Sequence, residues 1–440
     1  MIALAWLGFA TMGLNTVRLG GLAVSDLLFA ACGAVIVARF ITGQTHDLAG
    51  PHMRRTSPLV LVGSLLLLTF GTLSAFGAWD AGSSIQVVAR LAWLTFAWFW
   101  ILRTVSRDRL AFSRVVLGWR VGVLISAAVG VLTDVGITNI GTQNAEGRQT
   151  GFFAQPNEFA AMLAFALPLF LFDVPGRGEN LDERRSWPVR IGMIVLIAWG
   201  IAASGSMTAT FSAGLGCATA FVVVSLTRAR DRRTPRSTNP LRPFLVMAAL
   251  VVGLFVLSTS DLPVMERFTR YQEGDVYVSS SVETRGELNA RAIQRLPDTM
   301  FVGTGLRQIT APGSVIGAVN TWDPDAVQGI HNMYLKVAHE AGVPALVGLL
   351  IIIGATFRQA WRLAISTAGT ALHGIAAALV GAIVGATCQA MFHPIVFQRY
   401  FWAAIALTTC LWAVRRDEVM RAAGREPDGA GTPAGRRGRG

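Results

Sequence analysis

The chain has 440 residues, of which 52% are hydrophobic and only 15% charged; a soluble globular protein carries roughly 25% charged residues. The net charge is +12, yet the arginines fall in short loops between apolar runs, so the basicity reports membrane topology and gives no reason to expect a nucleic-acid partner. Cys32, Cys217, Cys388 and Cys410 all lie in apolar runs, at spacings that suit neither a disulfide nor a metal site.

Apolar runs near the roughly 20 residues needed to span a bilayer recur along almost the whole length. They predict an all-α, polytopic integral membrane protein of about 12 transmembrane helices, at 2–17, 22–41, 58–77, 85–102, 116–133, 152–172, 189–204, 207–226, 243–260, 341–357, 368–390 and 399–414. The N-terminus lacks a charged leader region and a small-residue cleavage site, so it reads as a first span and not as a removed signal. Arg54-Arg55, the group Arg103/Arg107/Arg109/Arg114, Arg184-Arg185, the run Arg228 to Arg236, Arg358/Arg362 and Arg415-Arg416 occupy alternate loops. The positive-inside rule puts them, with both termini, in the cytoplasm, and the protein in the plasma (inner) membrane. Opposite them lie loops near 18, at 78–84 and 134–151, a tight turn at Ser204–Ser206, a large external loop at 261–340 between spans 9 and 10, and a short loop at 391–398. The membrane domain is expected to cover 1–425, and the Gly/Arg/Pro-rich segment 426–440 to be a disordered cytoplasmic tail.

The large loop has internal order. Arg285 to Leu296 reads as an amphipathic helix, with Leu288, Ala292, Ile293 and Leu296 on one face. Thr284-x-x-Glu287 and Ser280-x-x-Glu283 are rival capping boxes for its start, and Pro297 is expected to stop it. Gly303-Thr304-Gly305, a linker containing Trp322, and His331-Asn332 follow.

Three segments carry a resemblance: Gly147 to Asn157; Thr284-Arg285 through Gly305; and His331-Asn332-Met333-Tyr334-Leu335 with Glu340-Ala341-Gly342-Val343. In this order and on this topology the chain resembles the O-antigen ligase and Wzy polymerase superfamily, most clearly over 191–353 and Arg148–Asn157. The resemblance implies a metal-independent glycosyltransferase, a ligase or polymerase of cell-envelope polysaccharide. It would use a polyprenyl-diphosphate-linked glycan donor and a glycan or glycolipid acceptor hydroxyl at the outer face, with no cofactor. In the family's ligases the His-Asn pair is followed by nine residues and Gly, then two residues and Gly, Thr or Tyr. His331, Asn332 and Gly342 match, and Ala345 departs. A Ser-Arg pair is frequent in the family's turn before the eighth span; here the turn reads Ser204-Gly205-Ser206-Met207.

Elementary chemistry agrees with that reading. A hydroxyl attacking an anomeric carbon needs a base, and a departing diphosphate needs cations. A neutral histidine suits the first role and contributes roughly 10²–10⁴ in rate; arginine suits the second, because it stays charged and pairs with phosphate bidentately. The catalytic candidates are therefore His331 and Arg285, and the substrate-binding candidates Arg148, Asn332, Asn157, Arg399 and His393. Simpler roles compete: a loop histidine capping the next helix, a solvated helix face for Arg285 and more so for Arg291 and Arg295, a headgroup anchor for Arg148, and a helix-to-helix bond for Asn157. Asp26 and Arg90 lie in or near spans, where ionisable groups are costly and usually paired. A transporter or flippase of lipid-linked sugar or a small anion is the alternative function, and a non-catalytic scaffold a third. The transporter reading fits less well, because the polar residues gather in the external loops instead of at mid-span and no internal repeat is visible.

Overall fold

A computed structural model describes residues 1–14, 18–19, 22–44, 57–144, 147–172, 187–230, 276–306, 318–319, 327–370 and 372–423. The fold is all-α. Its described helices are α1 (Ile2–Ala10), α2 (Val24–Ile41), α3 (Pro58–Phe76), α4 (Ala81–Val105, with a π-helical turn at Trp93–Ala97), α5 (Arg109–Asp134), α6 (Pro156–Phe172) and α7 (Trp187–Ala203), followed by α8 (Met207–Arg230), α9 (Val276–Thr299), α10 (Met333–Ala341), α11 (Val343–Ser366), α12 (His373–Gln389) and α13 (Arg399–Ala422). Extended structure among the described residues is limited to three small hairpins, the one that matters pairing Thr142–Gln143 with Gln149–Gly151.

Six helices are long and apolar enough to cross a membrane: α2, α3, α4, α5, α8 within Met207–Thr227, and α11. Helices α6, α7 and α12 are apolar but shorter. The chain is thus a multi-pass membrane protein, with helices at eleven of the twelve expected spans; the remaining one, 243–260, lies outside the described residues, as do the linker with Trp322 and the tail. The first expected span is corrected. Helix α1 has only 9 residues, a rise of roughly 14 Å against a hydrocarbon core of about 30 Å.

The side-chain pattern follows from lipid being the solvent. Helix α3 turns Leu61, Val62 and Leu65 outward and buries Gly63 and Leu67 against α11. Where greasy side chains gain nothing by leaving lipid, close backbone packing holds helices together. Gly63 and Gly348 meet backbone to backbone across α3 and α11, as do Gly216 and Gly381 across α8 and α12. Helices α6, α12 and the first half of α13 are buried almost all round. Tyr400 lies between Phe153 and Phe165 there, with ring centroids 6.2 and 5.6 Å away.

The polar end of the bundle is built from the N-termini of α2, α6, α8, α11 and α13 and the C-termini of α5, α7 and α12. Cross-links between sequence-distant loops show that these ends share one face. Ser84 Oγ donates to the Leu306 carbonyl at 2.7 Å, Trp199 Nε1 to Asp134 at 3.1 Å, and Met333 N to the Ala390 carbonyl at 2.8 Å.

The amphipathic helix of the large loop is longer than the sequence predicts. Leu288 and Ala292 are buried as expected, but Ile293, expected on the same face, is 60% exposed and Leu296 only partly buried, and α9 runs from Val276 to Thr299. Ser280 and Thr284 fall inside it, so neither capping box is its start. Pro297 does not stop it at once: it sits in the last turn, where its missing N–H deprives a single carbonyl and the helix ends two residues later.

Candidate functional site

The His331-Asn332 pair is positioned by the start of α10. Asn332 is its N-cap: its side-chain oxygen accepts from the N–H groups of Tyr334 and Leu335 at 3.0 and 3.1 Å. That bond satisfies two of the donors any helix leaves orphaned at its start. The α10 N-terminus is then pinned to the end of α12 by the Met333–Ala390 backbone bond and by Tyr334 Oη donating to the Thr387 carbonyl at 2.9 Å. His331 is therefore not the cap; it is the residue the cap leaves facing the α12–α13 turn, where His393 is held.

Both histidines are depleted of solvent and ringed by positive charge. Burial, then the Arg285 and Lys336 charges, push His331 down to about 4, with a hydrogen bond to the Gly329 backbone acting the other way. His393, 6% exposed, is pushed down to about 3, by burial first and then by His331, Arg285 and Lys336. Each histidine is thus neutral at neutral pH. The Nδ1 atoms of both are buried, with no hydrogen-bond partner among the described residues. His331, His393 and Arg285, separated by up to 108 positions in sequence, act on one another electrostatically in one place.

Three further residues complete this cluster, and the sequence reading missed them. Lys336 pairs with Glu340 at 2.9 Å one turn along α10, both nearly fully buried. Gln389, wholly buried at the end of α12, accepts from Ser212 Oγ at 3.1 Å; the Gly216–Gly381 contact holds those two helices close enough for this bond. One signal was available: Lys336 is the sole lysine in a chain that otherwise uses arginine. Glutamine inside an apolar run gave none.

The glycines around α10 have a mechanical role. Gly342 has φ +88°, and a Cβ there would fall 2.5 Å from the Phe301 carbonyl oxygen. The reason for the close approach is capping. Thr304 N and Gly305 N donate to the His339 and Glu340 carbonyls at 3.1 and 2.9 Å, and Val343 N donates to Met300 O at 2.7 Å. Gly303-Thr304-Gly305, which by sequence is a simple turn, is thus the C-terminal lock of α10, and it ties α9, with Arg285, to the His331 segment.

Arg148 and Asn157 form a second group. Arg148 leaves the hairpin and donates from Nε to the Ser204 carbonyl at 2.7 Å and from Nη2 to Asn157 Oδ1 at 3.1 Å. It is buried. Gly205, at φ +60°, makes room: a Cβ there would stand 3.2 Å from Arg148 Nε. The Ser204–Ser206 turn carries no arginine of its own, but a guanidinium reaches it from the neighbouring hairpin.

Arg399 belongs to a third group. It pairs with Asp26 through two contacts, Nε to Oδ1 at 2.9 Å and Nη2 to Oδ2. Trp93, in the π turn of α4, donates to the same carboxylate at 3.3 Å. Beside it, Gln398 bonds Glu158. Asp26 therefore has the partner its depth demands, and Arg399 is held in that ion pair. Arg291 is exposed and pairs with Glu287 at 3.5 Å. Among the described residues no group of three or more His, Cys, Asp or Glu side chains converges as a metal site would.

Residues 192–350 match the family model described as O-antigen ligase. Over this segment the chain is similar to the O-antigen ligases. The match supports its assignment to the O-antigen ligase/Wzy superfamily, and no curated protein matches the chain. The matched segment takes in most of α7, α8 to α10 and the start of α11, and so includes Arg285, His331, Asn332 and Gly342. Arg148, Asn157, Gln389, His393 and Arg399 lie outside the matched segment, on the helices that enclose it. The protein thus has an O-antigen ligase- or polymerase-like membrane function, with lipid-linked glycans as the substrate class the family implies.

Proposed function

We propose that the protein is a membrane glycosyltransferase. In this reading it moves a glycan from a polyprenyl-diphosphate carrier to an acceptor hydroxyl, with His331 as general base and Arg285 as the principal diphosphate cation. The observation that carries this is the pairing of a neutral, solvent-poor histidine with an arginine whose charge acts directly on it. The acceptor O–H gives its proton to His331, and the oxygen attacks the anomeric carbon. The bond to the diphosphate oxygen breaks, and the diphosphate leaves with the electron pair, stabilised by Arg285. A single displacement of this kind inverts the anomeric centre.

A free-state value near 4 makes His331 a weak base at rest. Donor binding corrects this. A diphosphate beside Arg285 cancels part of the positive field that depresses His331, so the base strengthens only when there is a donor to react. Arg148 is the second cation of this proposal. It is set at the Ser204–Ser206 turn on the same end of the bundle, with Asn157 orienting it. Arg399, held by Asp26, and His393 would shape the floor of the site, and Asn332 would act by holding His331 in place. The outer face of the plasma membrane, with a cytoplasmic C-terminus, is the orientation that the arginine distribution supports.

The test is transfer by the purified full-length protein from a polyprenyl-diphosphate glycan, with and without chelator. Transfer that survives chelation and is abolished by His331→Ala, with membrane insertion unchanged, is the expected result. Wild-type product from His331→Ala would overturn the assignment.

A further inference from the structure

A cavity lies at the end of the bundle opposite the histidine cluster. Its volume is about 190 Å³, and it opens between the start of α3, the second half of α11 and the last turns of α13. Its lining includes three guanidinium groups, Arg358, Arg362 and Arg416, together with Ser57, Gln359 and Trp412. From Val343 to Arg358 and from Arg399 to Arg416 the helices rise roughly 25 Å at about 1.5 Å per residue. The cavity is therefore separated from the histidine site by most of the thickness of a bilayer's hydrocarbon core.

Four observations bear on the ligand: the arginines and the helix start favour an anion, Gln359 a donor on the same ligand, and Trp412 the headgroup level. None of the three arginines has a carboxylate within ion-pairing distance among the described residues, whereas Arg415 next door pairs with Glu418 at 3.4 Å. Gln359 is 7% exposed, and its Oε1 is buried with no hydrogen-bond partner. That orphaned acceptor in a cationic pocket calls for a ligand that also brings a donor, such as a headgroup hydroxyl. The first turn of α3 lines the same cavity, with Pro58 opening the helix and no capping bond from the Ser57 side chain, so the positive end of the helix lies beside it. Trp412 supplies the amphipathic ring that favours the level where headgroups meet acyl chains.

We propose that this pocket binds a phosphate group, Arg358, Arg362 and Arg416 clamping its oxygens. The source favoured by its depth is the headgroup of an anionic phospholipid in the leaflet opposite the histidine site, in preference to a soluble phosphate ester. Basic pockets between membrane helices suit such headgroups because the arginines keep their charge and offer paired donors. Lipid bound there would tie α3, α11 and α13 together at one end, while the other ends of α11 and α13 frame the His331 site.

The experiment uses delipidated full-length protein in a neutral detergent and follows its unfolding midpoint. Phosphatidylglycerol, phosphatidylcholine and inorganic phosphate are added at matched concentrations. Phosphatidylglycerol is expected to raise the midpoint by several degrees and phosphatidylcholine not to, since only a ligand of the folded state stabilises it. Replacing all three arginines by glutamine should raise the half-saturating lipid concentration at least tenfold. The triple lysine variant should lie between, and Arg291→Gln, an exposed charge elsewhere, should match wild type. A shift produced equally by inorganic phosphate and lost in the glutamine variant keeps the phosphate site but overturns its lipid source. Equal responses to the two lipids with none to phosphate, or a lipid shift unchanged in the glutamine variant, would overturn the site itself.

Discussion

At the residue scale the informative property of His331 is its environment. Burial and two neighbouring cations hold it near 4, and the sign of each cause gives a testable pH dependence. A base must be unprotonated, so activity is lost as pH falls through its pKa. The acid limb of kcat/KM reports the free enzyme and is expected near pH 4 to 5; the limb of kcat reports the donor complex. Diphosphate charge offsets Arg285, so the kcat limb should lie at higher pH than the kcat/KM limb. Arg285→Gln removes one of the depressing charges and should move the kcat/KM limb upward while lowering the rate. Both limbs lying at the ordinary histidine value near 6.5 would mean that the base is not His331 in this setting. Arginine chemistry gives a companion expectation. Arg285→Lys keeps a charge but loses the paired donors, and Arg285→Ala loses both, at a cost of roughly a hundredfold or more in rate. Arg291, already satisfied by Glu287 at the surface, serves as the control. If Arg291→Ala costs as much as Arg285→Ala in a transfer assay, the face of α9 has been misassigned.

At the scale of elements, the decisive joint is the lock between residues 300–305 and the end of α10. Gly342 combines a positive φ with backbone contact, so Gly342→Ala meets two penalties. At φ +88° and ψ 161° the backbone is in a region essentially reserved for glycine, which costs a residue with a Cβ roughly 1–3 kcal/mol, and the methyl must displace the Phe301 carbonyl. The expected consequence is a lower unfolding midpoint together with loss of transfer, because the strand that ties α9 to α10 is pushed off. Wild-type stability and activity in Gly342→Ala would show that the joint yields freely. This same region shows what the sequence revealed and what it withheld. His331, Asn332 and Gly342 were readable as a motif, and the periodicity of α9 located Leu288 and Ala292 on its buried face but wrongly added Ile293, which is exposed. The length of α9 was not readable, because a docked helix carries Ser280 and Thr284 through its interior and ends beyond Pro297 at little cost. Arg148 was readable as a candidate, but its reach to the Ser204 carbonyl was not, since that contact depends on the space left by Gly205. Nor was the Asp26–Arg399 pair, which joins residues 373 positions apart. Periodicity reports which face is buried, whereas pairing across such distances is set by tertiary packing alone.

At the scale of the whole molecule the two ends of the bundle differ in chemistry. One end gathers histidines, buried ion pairs and short loop locks. The other gathers Arg358, Arg362 and Arg416, which have no acidic partner among the described residues. In the proposed orientation, which the positive-inside bias supports, the second end would face the cytoplasm and the first the exterior, where a lipid-linked glycan presented on the outer leaflet would be met. This orientation can be read with single cysteines at exposed positions on the two ends. Asn139 follows α5 on the histidine end, and Ser366 closes α11 on the arginine end; both are exposed. Cys32, Cys217 and Cys410 are buried and should stay silent, but Cys388 is partly exposed beside the site, so the measurement uses a Cys388→Ala background. An impermeant thiol reagent added to intact cells should label Asn139→Cys. It should label Ser366→Cys only after the membrane is opened. The reverse pattern would invert the protein and place the histidine cluster in the cytoplasm, where the proposed outer-face donor is absent. Labelling of both in intact cells would break the assignment of the two ends to opposite sides, because α11 would then carry its termini on the same face.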